Sequence, residues 1–325
     1  MSATRSRWWL LLEWAGATLL RAAPDVQPVN AALARLYYFF YNRRRFPNLR
    51  TPRHFNEKLI RLKLSAEARD PLRRRLTDKE HVKAHVEARF GPGHVAPTLA
   101  VLRAPEEVDA FAFPLPCVVK PTHSSQEVMF LDDVQPGRAE RARLKYWLRK
   151  DYFAANREPN YKGLEKKLIV EPVLGGAFGR IEDVKVLCFH GRPKLIQVDY
   201  GRYAEHRRDY FDIAGAPLPI RMRVPPAGSP FPYPDMMSRI LEMAERLSAG
   251  FTFIRVDFYV VDGAALVGEL TSFPTNCTVP FEPLSADLIL ARLFDEPNLE
   301  ITPTLFGVSP DSSADAHAPA QPAAA

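Results

Sequence analysis

Ile254-Arg-Val-Asp-Phe-Tyr-Val-Val-Asp-Gly-Ala-Ala-Leu-Val-Gly-Glu-Leu-Thr271 reads as two apolar-rich strands around the turn signal Asp262-Gly263. Side chains alternate faces along a strand, so Arg255 shares a face with Asp257, and Glu269 with Thr271. Whether the two pairs share one face depends on the loop. A two-residue Asp-Gly turn pairs Val261 with Ala264 and sends Asp257 and Glu269 to opposite faces. A three-residue loop with Gly263 left-handed pairs Val260 with Ala264 instead. Arg255 then lies opposite Glu269 with Asp257 diagonal to it. A shared face therefore predicts a loop of odd length. Two carboxylates so placed suit Mg²⁺, which takes oxygen ligands and leaves room for phosphate oxygens. The competing reading is an ordinary hairpin with both acids on a solvent face.

Working outward, the region from residue 115 carries short β-rich runs at Pro116 to Lys120, Leu168 to Glu171, Asp183 to Phe189, and Pro193 to Asp199. Helical stretches are expected at about 138 to 152 and 235 to 249. Lys120 ends one run before the hydroxyl-rich Thr122-His-Ser-Ser-Gln-Glu127, where Ser124, Ser125 and backbone N–H groups offer donors to a phosphate. Glu171 ends another run, and Asp183 and Lys185 project from one face of a third. Residues 28 to 90 read as helical, stopped by Gly91-Pro92-Gly93.

The order Val118-Val-Lys-Pro121, Leu168-Ile-Val-Glu171, Asp183-Val-Lys185, Arg255-Val-Asp257 and Glu269-Leu-Thr271 resembles the motif order of ATP-grasp enzymes. With Phe55-Asn-Glu-Lys58, Asp78-Lys79 and the run Asp183 to Asp199, the chain is similar to the TupA-like ATP-grasp family, linked to teichuronopeptide and other surface-polysaccharide synthesis. The resemblance covers about residues 46 to 300. It implies an α+β, ATP-grasp fold, two α+β lobes gripping ATP, preceded by a helical N-terminal region.

On this expectation residues 1–50 form a helical extension, 51–113 a helical region, and 114–305 the ATP-grasp domain, with lobes at about 114–170 and 171–305. Residues 306–325, rich in Ala and Pro, form a disordered tail.

The resemblance also assigns roles. Lys120 meets the ATP phosphates, with Arg202 as a further phosphate ligand. Glu171 and the backbone near Val173 line the adenine and ribose pocket. Asp183 serves at the ribose or the second lobe, with Lys185 nearby. Asp257 and Glu269 bind Mg²⁺, with Thr271 where many ATP-grasp ligases carry Asn, and Arg255 stabilises charge on the reacting acyl group. The implied reaction makes an acyl phosphate and ADP from a carboxylate and ATP, and an amine then displaces phosphate. Small-molecule or glycan acids and amines are the expected substrates. The family's phosphate loop is glycine-rich, whereas 122–127 lacks glycine, so a longer or less snug loop is expected here. Two other readings stay open: a phosphotransferase acting on a sugar hydroxyl, and a non-catalytic nucleotide-binding scaffold.

The bulk properties agree with a globular chain: 325 residues, 46% hydrophobic, 25% charged, net charge +6. Cys117, Cys188 and Cys277 are scattered and read as reduced thiols of a cytoplasmic protein. No Walker A, Rossmann or nucleic-acid-reading signature is present, and no nucleic-acid partner is expected. His81 and His85 stand at helical spacing without a third ligand, so a solvated face is the better reading. Trp8, Leu11, Leu12, Ala15 and Leu19 recur at helical spacing, and Glu13 interrupts the apolar run. Residues 5–21 are expected to form an amphipathic helix docked on the protein's own body or on a membrane face, with a cleaved signal as a third reading.

Overall fold

The computed structural model describes residues 23–42, 45–176, 181–202 and 204–308. The expected helix at 5–21 and most of the expected tail lie outside them. Two antiparallel sheets organise the chain. The first has the order β1-β4-β2-β3, from Ala100–Leu102 (β1), Cys117–Pro121 (β2), Met129–Leu131 (β3) and Leu168–Pro172 (β4). The second runs β7-β6-β5-β8-β9, from Asp183–Phe189 (β5), Arg192–Tyr200 (β6), Arg207–Phe211 (β7), Phe253–Val261 (β8) and Ala264–Thr271 (β9). The fold is the expected α+β ATP-grasp arrangement, with a helix, Gln27–Tyr41, ahead of it.

Strand parity sorts the second sheet. Val184, Val186 and Cys188 of β5, Ile196 and Val198 of β6, and Ile254, Val256 and Phe258 of β8 enter one apolar core. The helix Met237–Ser248 covers that face with Ile240, Met243, Ala244 and Leu247. Each Val, Leu, Ile, Phe or Met among them contributes roughly 1.5–3 kcal/mol on full burial. The other face is divided along its length. At one end Leu187, Phe189, Leu195 and Phe253 join a second core around Phe55, whose ring meets those of Phe281 and Phe253 edge-on at 5.0 and 5.9 Å. At the other end the same parity delivers Asp183, Lys185, Gln197, Asp199, Arg255 and Asp257. A polar floor thus continues directly from an aromatic core.

Phe55-Asn-Glu-Lys58 turns out to build that core. Glu57 accepts from the backbone N–H groups of Asn48, Arg53 and His54, capping the helix Phe55–Lys63 and seating Phe55.

In the first sheet Cys117, Val119, Leu168 and Val170 pack on Leu144, Trp147 and Leu148 of the helix Arg138–Arg149. Val118, Lys120 and Glu171 take the opposite face. Three strands escaped the sequence reading: β1, β3 and β7. β1 lies inside the stretch 51–113 expected as a helical region, and β4 runs to Pro172, across the lobe boundary expected at about 170. Both β1 and β3 are three residues long, too short to show a period. All three cysteines are free and buried. Among the described residues no helix is long and apolar enough to cross a membrane.

Candidate nucleotide and metal site

The hairpin corrects the loop-length argument while keeping its outcome. Val261 pairs with Ala264, so the turn is the two-residue Asp262-Gly263, with φ of 49° and 73°. Phe258 pairs with Val267, yet Asp257 pairs with Glu269 and Arg255 with Thr271. The extra residue is Gly268, a bulge that reverses the parity of everything beyond it. Ala265 and Val267 face the apolar core, and without the bulge Glu269 would follow them in. Tyr259 accounts for the glycine: a Cβ at position 268 would lie 2.7 Å from Cε2 of its ring.

Arg255 grips Asp257 through both oxygens, Nε to Oδ1 at 2.7 Å and Nη2 to Oδ2 at 2.6 Å. Its Nη2 also donates to Thr271 Oγ1 at 3.1 Å and lies 3.8 Å from Glu269 Oε1. Burial alone would lower the guanidinium's pKa, but Asp257 and then Glu269 raise it above the ordinary value. Burial likewise pushes Glu269 up, and Lys79, Arg255, Arg202 and Lys185 outweigh it, holding the carboxyl at about 2. Asp257, Glu269 and Thr271 are hard oxygen donors on one face, the chemistry Mg²⁺ takes. Glu269, a third exposed, presents the open carboxylate of the set. Asp257 can serve as a ligand once Arg255 yields one of its oxygens.

Lys185 sits beside this pair, 3% exposed, with Nζ 3.2 Å from Asp183, 3.4 Å from Asp199 and 3.7 Å from Asp257. It makes no aligned hydrogen bond to any of the three. A buried ammonium so placed is held by charge while its N–H donors remain for a ligand. Arg202 pairs with Asp183 at 2.9 Å.

On the first sheet Lys120 Nζ donates to Glu171 Oε2 at 2.8 Å and lies 5.9 Å from the Tyr259 ring centroid across on β8. Lys83 pairs with the other oxygen of Glu171 at 2.5 Å. Against the penalty of burial, Lys120 and Lys83 bring the Glu171 carboxyl down to about 2. A narrow pocket between the sheets gathers Lys120, Glu171, Val173, Asp183 and Arg202, with Val118, Phe130, Ile181 and Tyr259 as apolar and aromatic walls. Beside it opens a cleft of about 480 Å³, reached by Lys185, Arg202, Arg255, Glu269, Thr271 and Ser125.

Ser124 does not join them. It is buried, its hydroxyl donates to Glu127 at 2.6 Å, and its carbonyl accepts from Lys79 Nζ at 2.7 Å. The glycine-free loop is therefore pinned by its own side chains. Thr122 Oγ1 donates to Asp78 at 2.9 Å. His123 Nδ1 accepts from the Lys167 N–H and Nε2 faces the Trp147 carbonyl, the pairing of a neutral ring, and burial lowers its pKa. Seven residues, 122–128, join β2 to β3.

Asp78 anchors this wall. It caps the helix Lys79–Phe90 by accepting from the N–H groups of Glu80 and His81, and it also meets Lys167 Nζ at 3.2 Å. Asp78, Glu80 and His81 bring potential metal-ligand atoms within 4.8 Å of one another, but the oxygens of Asp78 already serve this cap, Thr122 and Lys167. His85 lies against Arg89, and burial followed by that charge brings its pKa to about 4.

The sequence reading missed Lys79 and Lys83 as site residues, although the Asp78-Lys79 motif marked the start of their helix. It also missed the place of Asp199 beside Lys185.

Two antiparallel sheets with this pocket between them define an ATP-grasp protein. A model of the TupA-like ATP-grasp family matches residues 57–295, and the chain belongs to that family. Among solved structures the chain is similar to a D-alanine–D-alanine ligase from Bacillus anthracis complexed with ATP, at 16% identity and a TM-score of 0.35, covering 62% of this chain and 54% of that one. It is similar to an L-amino acid ligase from Bacillus licheniformis at 12% identity and a TM-score of 0.40, covering 79% and 50%. A D-alanine–D-alanine ligase from Helicobacter pylori follows at 14% and 0.42, covering 69% and 61%. The chain thus spans between 50% and 61% of the length of these structures. No curated protein matches it.

Proposed function

We propose that the chain is an ATP-dependent carboxylate–amine ligase that works through an acyl phosphate and modifies a cell-surface polysaccharide or its precursor. The observation that carries this reading is the division of one sheet face. Arg255, Glu269, Thr271 and Lys185 line the 480 Å³ cleft with Asp257 on the same face, and Arg202, together with Asp183 at 3.2 Å from Lys185, joins that floor to the Lys120–Glu171 pocket. Nucleotide and acceptor sites then meet at one row of charges.

In this reading Lys120 and Arg202 hold phosphate oxygens, and Glu171, Val173 and Asp183 line the nucleoside pocket. Asp257, Glu269 and Thr271 would hold Mg²⁺, which when bound supplies positive charge against the ATP phosphates. Arg255 and Lys185 face the negative charge that develops as the substrate carboxylate attacks the γ-phosphorus. Fixed charges of this kind act strongly in a water-poor site because they need no reorganisation.

The test is ADP and phosphate release with Mg²⁺, ATP and a panel of amino acids and uronic-acid acceptors, run beside Asp257→Ala and Glu269→Ala. The expected outcome is amine-dependent phosphate release that both substitutions abolish. Phosphate retained on the product would identify a phosphotransferase instead. Equal Mg-ATP binding by the wild type and the double variant would remove the metal assignment.

A further inference from the structure

Glu158 lies on the wall of the 480 Å³ cleft and belongs to none of the groups used so far. It is only 4% exposed, and the hydroxyl of Tyr152 donates to its Oε1 at 3.3 Å. Among the described residues no cation bridges it. Lys63, the cation whose charge reaches it, donates instead to the Asn156 carbonyl at 3.1 Å and to the Asn276 side chain. Tyr161 packs against Tyr152 with the rings tilted by 47° and their centroids 4.4 Å apart, and both line the same wall. Burial raises the carboxyl to about 7, with Glu269 adding to that rise while Lys63 and the Tyr152 hydroxyl oppose it.

A buried carboxyl without a counter-ion is costly unless a cation arrives. The cleft that adjoins Arg255 and Glu269 is where a substrate cation would enter.

We propose that Glu158, flanked by Tyr152 and Tyr161, is the subsite for the ammonium group of the second substrate and accepts the proton it gives up; this rests on the ligase reading above. The ammonium passes one proton to Glu158, and the freed lone pair forms the C–N bond to the acyl carbon. The C–O bond to phosphate breaks with its electron pair leaving on phosphate, which takes the second N–H proton. A carboxyl titrating near neutrality can accept the proton and return it to water on the next cycle. The substrate class follows: a primary amine that is protonated in solution, small enough at its reacting end to reach a wall of two tyrosines.

The test separates the two half-reactions. Hydroxylamine, uncharged near neutral pH, captures an acyl phosphate as a hydroxamate without needing an ammonium site. With the carboxylate panel, Glu158→Gln should form hydroxamate at the wild-type rate and lose amide formation by about 100-fold, the usual scale of general-base catalysis. Equal loss of both products, or of neither, would overturn the proposal. If the wild type makes neither ADP nor hydroxamate from any acid, the ligase reading fails on its own. The subsite is then judged by calorimetric binding of ethylammonium and glycinamide at about pH 8. Binding weakened about tenfold or more in Glu158→Gln supports it, and binding that is absent or unchanged rejects it. Thermal unfolding of the variant checks that its fold is kept.

Discussion

Gly268 decides which face of the sheet Glu269 takes. The residue is a bulge, and its missing Cβ leaves room for the Tyr259 ring. Gly268→Ala should destabilise the protein by about 1–3 kcal/mol, the usual cost of overpacking. Mg-ATP affinity should fall with it, because any adjustment of the bulge turns Glu269 away from Asp257. Urea unfolding and calorimetry measure the two effects, and a variant with wild-type values for both would refute the role given to the bulge.

Glu158 makes a second prediction at this scale. Its carboxyl is raised from 4.5 to about 7 in the fold, so the folded state holds the proton more tightly than the unfolded chain. The stability this provides is complete below about pH 4.5 and is lost as pH rises through about 7. Glu158→Gln stays neutral throughout. The two proteins should therefore unfold at similar temperatures near about pH 4.5, with the variant more stable at about pH 8. Melting curves across that window decide it, and a gap that does not widen with pH would contradict the burial argument.

At the scale of elements, the helix Lys79–Phe90 links the two halves of the site. Lys79 reaches the loop after β2, Lys83 reaches Glu171 at the end of β4, and Asp78 caps the helix while holding Thr122 and Lys167. Asp78→Ala removes the helix cap, the acceptor of Thr122 and one carboxylate of Lys167, which keeps Glu80 and Glu165, so it should cost about 2 kcal/mol. Asp78→Asn keeps an oxygen for the helix N–H groups and should cost less. Chemical denaturation ranks the two, and a reversed ranking would mean that the cap and the Lys167 pair are unimportant.

For the molecule as a whole, the pocket proposed to hold the nucleotide is walled by both sheets, with Lys120 and Tyr259 facing each other across it. A ligand bound there belongs to the folded state alone. Mg-ATP at 100 times its dissociation constant should therefore add roughly 2.7 kcal/mol to the unfolding free energy. Glu269→Ala should lose most of that increment while keeping a similar unliganded melting temperature, since its carboxylate serves the ligand more than the core. Differential scanning calorimetry with and without Mg-ATP tests this directly. An undiminished shift in the variant would place the metal elsewhere.

How much was legible in the sequence follows from the range of each interaction. The period of two along β5, β6 and β8 is local, so the grouping of Asp183 with Lys185, and of Arg255 with Asp257, could be read from residue spacing alone. The motif order likewise identified the fold before any contact was known. The hairpin was legible only in part. Asp262-Gly263 is a sound two-residue turn signal, but the bulge at Gly268 needs a residue without a Cβ under the ring of Tyr259, nine residues earlier on the facing strand. Ser124, proposed as a phosphate donor, is turned away by Glu127. Lys79, Lys83 and Glu158 reach the site from helices and loops far away in sequence, where spacing carries no signal. Sequence alone thus determined which side chains share a strand face, because backbone geometry imposes that alternation everywhere. Tertiary structure decided which faces meet and which charges are left without a partner, because burial and ion pairing depend on neighbours that the chain brings together only by folding.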